Sequence, residues 1–215
     1  MPQHHPSLDL LYAAAAGQLS AGLHKILLAH ASLCPICRAE LDQFEAIGGA
    51  ILAGEPGETL SAGALDRALA AVEAEPRDNA VVSTPDWLRQ VPAAVRDLAA
   101  DIARATSSKP GVSLNMMQSV GTNRETIELV RIEPGKGIPN HAHDGMEYTL
   151  VLTGAFRDQR GVFAPGDLAI SDESHTHRPV AEPGETCIAL IVASAALRFK
   201  GPLGLLQRVM TLGRG

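Results

Sequence analysis

The chain has 215 residues, enough for one large domain or two modest ones, and is 46% hydrophobic but only 3% aromatic. No apolar run reaches the length of a membrane span (188–197 is too short), and Met1-Pro2-Gln3-His4-His5 lacks the basic start and apolar core of a signal peptide, so a cytoplasmic protein is expected. Through Ala80 there are ten acids against four bases, which accounts for the whole net charge of −6; such an acidic part is a poor nucleic-acid binder and suits a basic protein partner.

From Leu8 the spacing predicts a helix through Leu11, Tyr12 and Ala15, with Gly17 as its stop. Ser20 is placed to cap a second helix carrying Leu23, Ile26, Leu27 and His30. Cys34 directly before Pro35 has the form of an N-cap followed by proline at the first helical residue. A third helix then runs through Leu41, Phe44, Ile47 and Ile51 until Gly54-Glu55-Pro56-Gly57, and Leu65, Ala68, Leu69 and Val72 mark a fourth over 60–72.

His30, Cys34 and Cys37 are spaced H-x3-C-x2-C across a helix end and a helix start. Tetrahedral zinc can take all three with little chain distortion, and thiolates gain from the helix N-terminus. A fourth ligand is available in His4 or His5. A thiol–disulfide role for C-P-I-C is disfavoured, because no strand precedes it as a thioredoxin-like fold requires. Cys187, on an apolar run, reads as an inert core residue.

The helical text ends at Glu75-Pro76-Arg77-Asp78-Asn79. The stretch 81–110 reads as a linker between a helical domain at 1–80 and a second domain at 111–215. Within it, Trp87, Leu88, Val91, Val95, Leu98 and Ile102 suit a short helix or an early strand packing on the second domain.

After Gly111 the periodicity changes. Residues 127–132, 147–152, 167–171 and 186–193 read as strands, broken at Gly135-Lys136-Gly137, Gly154, Pro165-Gly166 and Glu182-Pro183-Gly184. That spacing fits an antiparallel barrel or jelly roll, so the fold class is α+β in two domains. His141 and His143 alternate with Ala142, so a strand points both imidazoles to one face. Glu147 follows after Asp144-Gly145-Met146, a turn-like run that can return the chain to that face. Two imidazoles and a carboxylate on one wall suit zinc, iron or manganese.

The run is G-x5-H-x-H-x3-E-x6-G from Gly135 through His141, His143 and Glu147 to Gly154, which resembles the first motif of the cupin family. The second cupin motif, counted from Gly166, puts its histidine at His177, although Asp172, Ser174 and Ala181 replace its proline, second glycine and asparagine. His175 has the same strand parity and is the rival ligand; the motif count favours His177.

H-x3-C-x2-C joined to a cupin region, with G-A-F-R-D at 154–158 and H-x-P-V-A-E at 177–182, resembles the ChrR family of zinc-dependent anti-sigma factors along nearly the whole chain. The resemblance implies a helical domain with a structural zinc on His5, His30, Cys34 and Cys37. It implies a second zinc, or another divalent ion, on His141, His143, Glu147 and His177 of the cupin domain. It further implies a 1:1 complex with an extracytoplasmic-function (ECF) group sigma factor, no direct DNA binding, and release of the sigma factor in response to singlet oxygen and organic hydroperoxides. The competing class is a metal-dependent cupin enzyme, a dioxygenase or isomerase, since three histidines and one glutamate also suit iron(II). That reading leaves the acidic helical module unexplained.

Overall fold

The computed structural model describes residues 1–74, 86–105, 114–117, 125–195 and 197–199. Four helices come first: α1 (Leu8–Ala15), α2 (Ala21–Leu33), α3 (Pro35–Gly54) and α4 (Ala64–Ala74). Their starts follow local chemistry. Ser7 and Ser20 take extended backbone and accept from the N–H three residues on, which satisfies an orphan donor of each first turn. Cys34 is at once the C-cap of α2 and the N-cap of α3, with Pro35 behind it. Gly17 ends the α1 corner at φ 65°, a conformation that disfavours side chains. α4 begins later than its apolar spacing suggests, because Gly63 sits at φ 72° and only then does Ala64 N–H bond back to the Ser61 carbonyl.

A 3-10 turn (Asp86–Gln90) and α5 (Ala93–Ala105) lead into the strands β1 (Leu114–Met117), β2 (Thr126–Ile132), β3 (His141–His143), β4 (Glu147–Thr153), β5 (Phe156–Asp158), β6 (Gly161–Phe163), β7 (Leu168–Ser171), β8 (Thr176–His177), β9 (Val180–Ala181), β10 (Cys187–Ala193) and β11 (Leu197–Phe199). A five-stranded sheet has the order β1-β2-β10-β4-β7, and three-stranded sheets β11-β3-β8 and β6-β5-β9 complete the barrel. All the named pairings are antiparallel. The expected breaks at Glu75-Pro76 and Lys109-Pro110-Gly111 lie outside the described residues.

The central strands are buried at every position or nearly so, and the period of two explains why. On β10, Ile188, Leu190 and Val192 face outward into a cluster shared with the helices, while Cys187 and Ile191 face into the barrel. On β4, Tyr148, Leu150 and Leu152 take the outer side and Val151 the inner. The outer cluster also contains Ile26 and Leu27 of α2, Leu88 of the 3-10 turn, Val91 just after it, and Val95, Ala99 and Ile102 of α5. Fully burying each such side chain contributes roughly 1.5–3 kcal/mol, so the helices and the sheet stabilise one another through this one layer. The segment from Trp87 to Ile102 is therefore helical and packed on the sheet.

From Glu45 onward the helical region has a different character. In the second half of α3 and throughout α4 no side chain is buried, although Ile47, Ile51, Leu52, Leu65, Leu69 and Val72 lie there. Among the described residues no helix is long and apolar enough to cross a membrane.

Candidate metal centres

The first centre forms where the N-terminal arm meets the corner between α2 and α3. His30, in the last turn of α2, is fully buried, as are Cys34 and Cys37 at the start of α3. His5 comes from the arm, and its Nδ1 lies 3.4 Å from both the Cys34 and the Cys37 Sγ. The ligand atoms of His5, His30, Cys34 and Cys37 all lie within 4.8 Å of one another. His4 turns away: its Nδ1 lies 3.3 Å from Asp167 Oδ2, and its ring lies against Phe163.

This donor set is unsatisfied without a cation. His30 Nδ1 donates to the Gly166 carbonyl at 2.8 Å, while its buried Nε2 has no hydrogen-bond partner. Burial holds the His30 imidazole neutral by lowering its pKa. Burial, then the neighbouring Cys34, pushes the Cys37 thiol up to about 12. A buried thiol such as Cys37 ionises beside a positive ion and scarcely otherwise, and two sulfurs with two imidazoles converge here, so the residues fit a metal.

The second centre lies inside the barrel, and the alternation described above builds it. β3 pairs with β8 so that His141 stands opposite His177, and β4 begins at Glu147. His141, His143, Glu147 and His177 are all buried, with ligand atoms within 4.8 Å of one another. The His177 Nε2 is 3.0 Å from the His141 Nε2 and 3.1 Å from the His143 Nε2. Glu147 Oε2 is 3.6 Å from His143 Nδ1, and Glu147 Oε1 is 4.0 Å from His177 Nε2.

Electrostatics hold the three imidazoles in their ligand state, whereas the Glu147 carboxyl needs a nearby cation to stay ionised. Burial pushes both His141 and His143 down to about 4, lowers His177, and raises Glu147 to about 7. Neutral imidazoles leave lone pairs converging within van der Waals range, which is repulsive unless a cation sits among them. The His141 Nδ1 donates to the Pro139 carbonyl (2.9 Å) and the His177 Nδ1 to Asp158 Oδ2 (2.9 Å), which leaves the lone pair of each ring on the Nε2 that faces the centre. His175 stands apart, its Nδ1 2.8 Å from Asp172 Oδ1.

Sequence reasoning passed over the residues that orient these ligands. Asp158, in the G-A-F-R-D run, is clamped by the Arg160 guanidinium (2.7 Å from Nη2 to Oδ2), and Arg160 also donates to the Ile170 carbonyl. Burial would raise Asp158, but Arg160 and His177 outweigh it and hold the carboxyl below its ordinary value. Asp158 precedes His177 by 19 residues, and nothing in local spacing couples them.

Residues 98–196 match the family described as the ChrR cupin-like domain. Over 201 residues the chain is 36% identical to the anti-sigma-E factor ChrR of Cereibacter sphaeroides, covering 92% of each sequence. It also superimposes on a chain from the crystal structure of Rhodobacter sphaeroides SigE in complex with the anti-sigma ChrR. There the TM-score is 0.69 and the identity 33%, covering 90% of this chain and all of the other.

Proposed function

Because the chain belongs to the ChrR family of anti-sigma factors, we propose that it captures an ECF-group sigma factor in a 1:1 complex and keeps it from RNA polymerase. The chain is accordingly a regulator rather than an enzyme. What carries the reading within this molecule is the surface of α3 and α4. Ile47, Ile51, Leu52, Leu65, Leu69 and Val72 are exposed, with none of them buried among the described residues. Exposed apolar helix faces of this kind mark a protein interface. Acids interleave with it at Glu45, Glu55, Glu58, Asp66 and Glu73, which suits the basic, nucleic-acid-facing surface of a sigma factor.

Residues 1–80 are assigned to sigma binding and 111–215 to sensing, with 81–110 joining them. Both centres are assigned to zinc. Two thiols and two imidazoles are the donors of a closed tetrahedral zinc site, and zinc there supplies a structural cross-link rather than a reaction. His5 and His30 then tie the arm to the α2–α3 corner from which the binding helices project. Three imidazoles and a carboxylate inside the barrel also suit redox-active ions, and singlet oxygen and organic hydroperoxides are the proposed signals of this second centre. The assigned place of action is the cytoplasm, where the sigma factor and polymerase are.

The test is a pair of substitutions in the full-length protein co-expressed with an ECF-group sigma factor. Cys34→Ala is expected to abolish co-purification of the sigma factor. His141→Ala is expected to spare co-purification and to dull release by singlet oxygen. Loss of the partner in His141→Ala as well would overturn the division of labour.

A further inference from the structure

The first centre is not made by the helical region alone. The turn 164–167, between β6 and β7 of the barrel, reaches one of its four candidate ligands, His30, and the arm that carries another, His5. Its Gly166 carbonyl accepts from His30 Nδ1, which aims the opposite ring nitrogen at the thiols. Its Asp167 carboxylate is buried and holds the N-terminal arm just before His5: Oδ1 accepts from the N–H groups of Gln3 (2.6 Å) and His4 (3.0 Å). Oδ2 accepts from the Ala164 N–H at 2.8 Å. Leu168, the first residue of β7, donates its N–H to the His4 carbonyl at 3.0 Å. Pro2 lies so close over Gly166, at φ 90°, that a Cβ there would meet its Cγ at 2.6 Å. An arm fixed at both N–H and C=O by the barrel leaves His5 little choice of position. Strand β7 pairs in turn with β4, Ser171 opposite Glu147, so the turn extends from the sheet that carries a ligand of the second centre.

We propose that Asp167, together with the Gly166 carbonyl, is a positioning element for the N-terminal metal centre, so that the barrel sets two of that centre's ligands, His5 and His30. This rests on the reading that His5, His30, Cys34 and Cys37 hold a metal. It makes the barrel a determinant of how long that metal stays: a disturbance of the 164–167 turn loosens His5 first and leaves the two thiolates with an incomplete shell. Outer-shell carboxylates of this type change metal retention by about 10- to 100-fold.

The test uses the full-length protein loaded with cobalt(II). Only the first centre has thiolates, so the sulfur-to-cobalt charge-transfer absorption reports it without interference from the barrel centre. The decay of that band in excess chelator is compared between the native chain, Asp167→Ala, Asp167→Asn and, as a control at the opposite end of β7, Asp172→Ala. Asp167→Ala is expected to lose cobalt from the thiolate centre about 10- to 100-fold faster. Asp167→Asn, whose amide oxygen still accepts from Gln3 and His4, is expected to fall between, and Asp172→Ala to match the native chain. A native rate in both Asp167 variants, even with a lowered Tm, would show a purely structural role and overturn the proposal. Should Asp167→Ala fail to fold, deletion of residues 2–4 removes the arm's native contacts with Asp167 and Leu168 while leaving Asp167 on Ala164; an unchanged rate there overturns it equally. If the native chain shows no thiolate–cobalt band, the metal reading fails and this proposal with it.

Discussion

Truncating Ile51 and Leu69 to alanine separates binding from folding. Ile51 is 65% exposed and Leu69 54% exposed, so each still has more than half of its area available to a partner. Full burial of such a side chain contributes roughly 1.5–3 kcal/mol, and the exposed shares scale this to roughly 1–2 kcal/mol each. Together the pair costs the complex about 2–4 kcal/mol, or about 30- to 700-fold in Kd. Neither side chain is buried among the described residues, so the stability of the free protein is expected to move by no more than about 0.5 kcal/mol. Isothermal titration of an ECF-group sigma factor with the native and doubly substituted chains measures the first quantity, and a thermal melt the second. An unchanged Kd with unchanged helicity would refute the assignment of α3 and α4 as the binding surface.

Asp158→Asn removes the carboxylate behind His177 and is expected to weaken the barrel metal about 10- to 100-fold while the thiolate centre keeps its own, read as metal content after a chelator challenge. Leu150→Ala empties a fully buried position in the cluster shared by α2 and the sheet and is expected to cost about 2–5 kcal/mol in one cooperative transition. Two separated melts would show that the helices and the barrel unfold independently. Stripped of metal, the chain is expected to lose stability as the pH falls from about 6.5 to about 4. In that window His141 and His143, pushed down to about 4 by burial, take protons only when unfolded. Glu147 opposes this, because its folded value of about 7 contributes stability that is lost as the pH rises. The two histidines, joined by the lowered His177, outweigh it, and a Tm that climbs on acidification would contradict the assignment.

What was legible in the sequence was whatever is written in local spacing. Ser20 before its helix, Cys34-Pro35 at a helix start, and the alternation of His141 with His143 each depend on a few neighbouring residues, and each could be placed without the fold. The choice between His4 and His5 could not. It depends on Asp167, which lies 163 residues from His4 and pulls that residue's N–H and ring toward the barrel, leaving the next one facing the thiols. His175 and His177 share strand parity. They part because Asp172 draws the His175 ring into its own turn, while β3 pairs with His177. The stretch from Trp87 to Ile102 shows helical spacing, yet spacing does not say that Leu88, Val91 and Val95 join the same cluster as Ile26. α4 presents the converse: its apolar period was plain, but no pattern in a single chain reveals that among the described residues none of that face is buried.

The most direct measurement is a titration of sigma-dependent transcription in vitro, with RNA polymerase core and an ECF-group sigma factor held constant and this chain added stepwise. The account predicts inhibition that breaks at one chain per sigma factor and that is absent when Cys34→Ala replaces the native protein. Full transcription at excess native chain would contradict it.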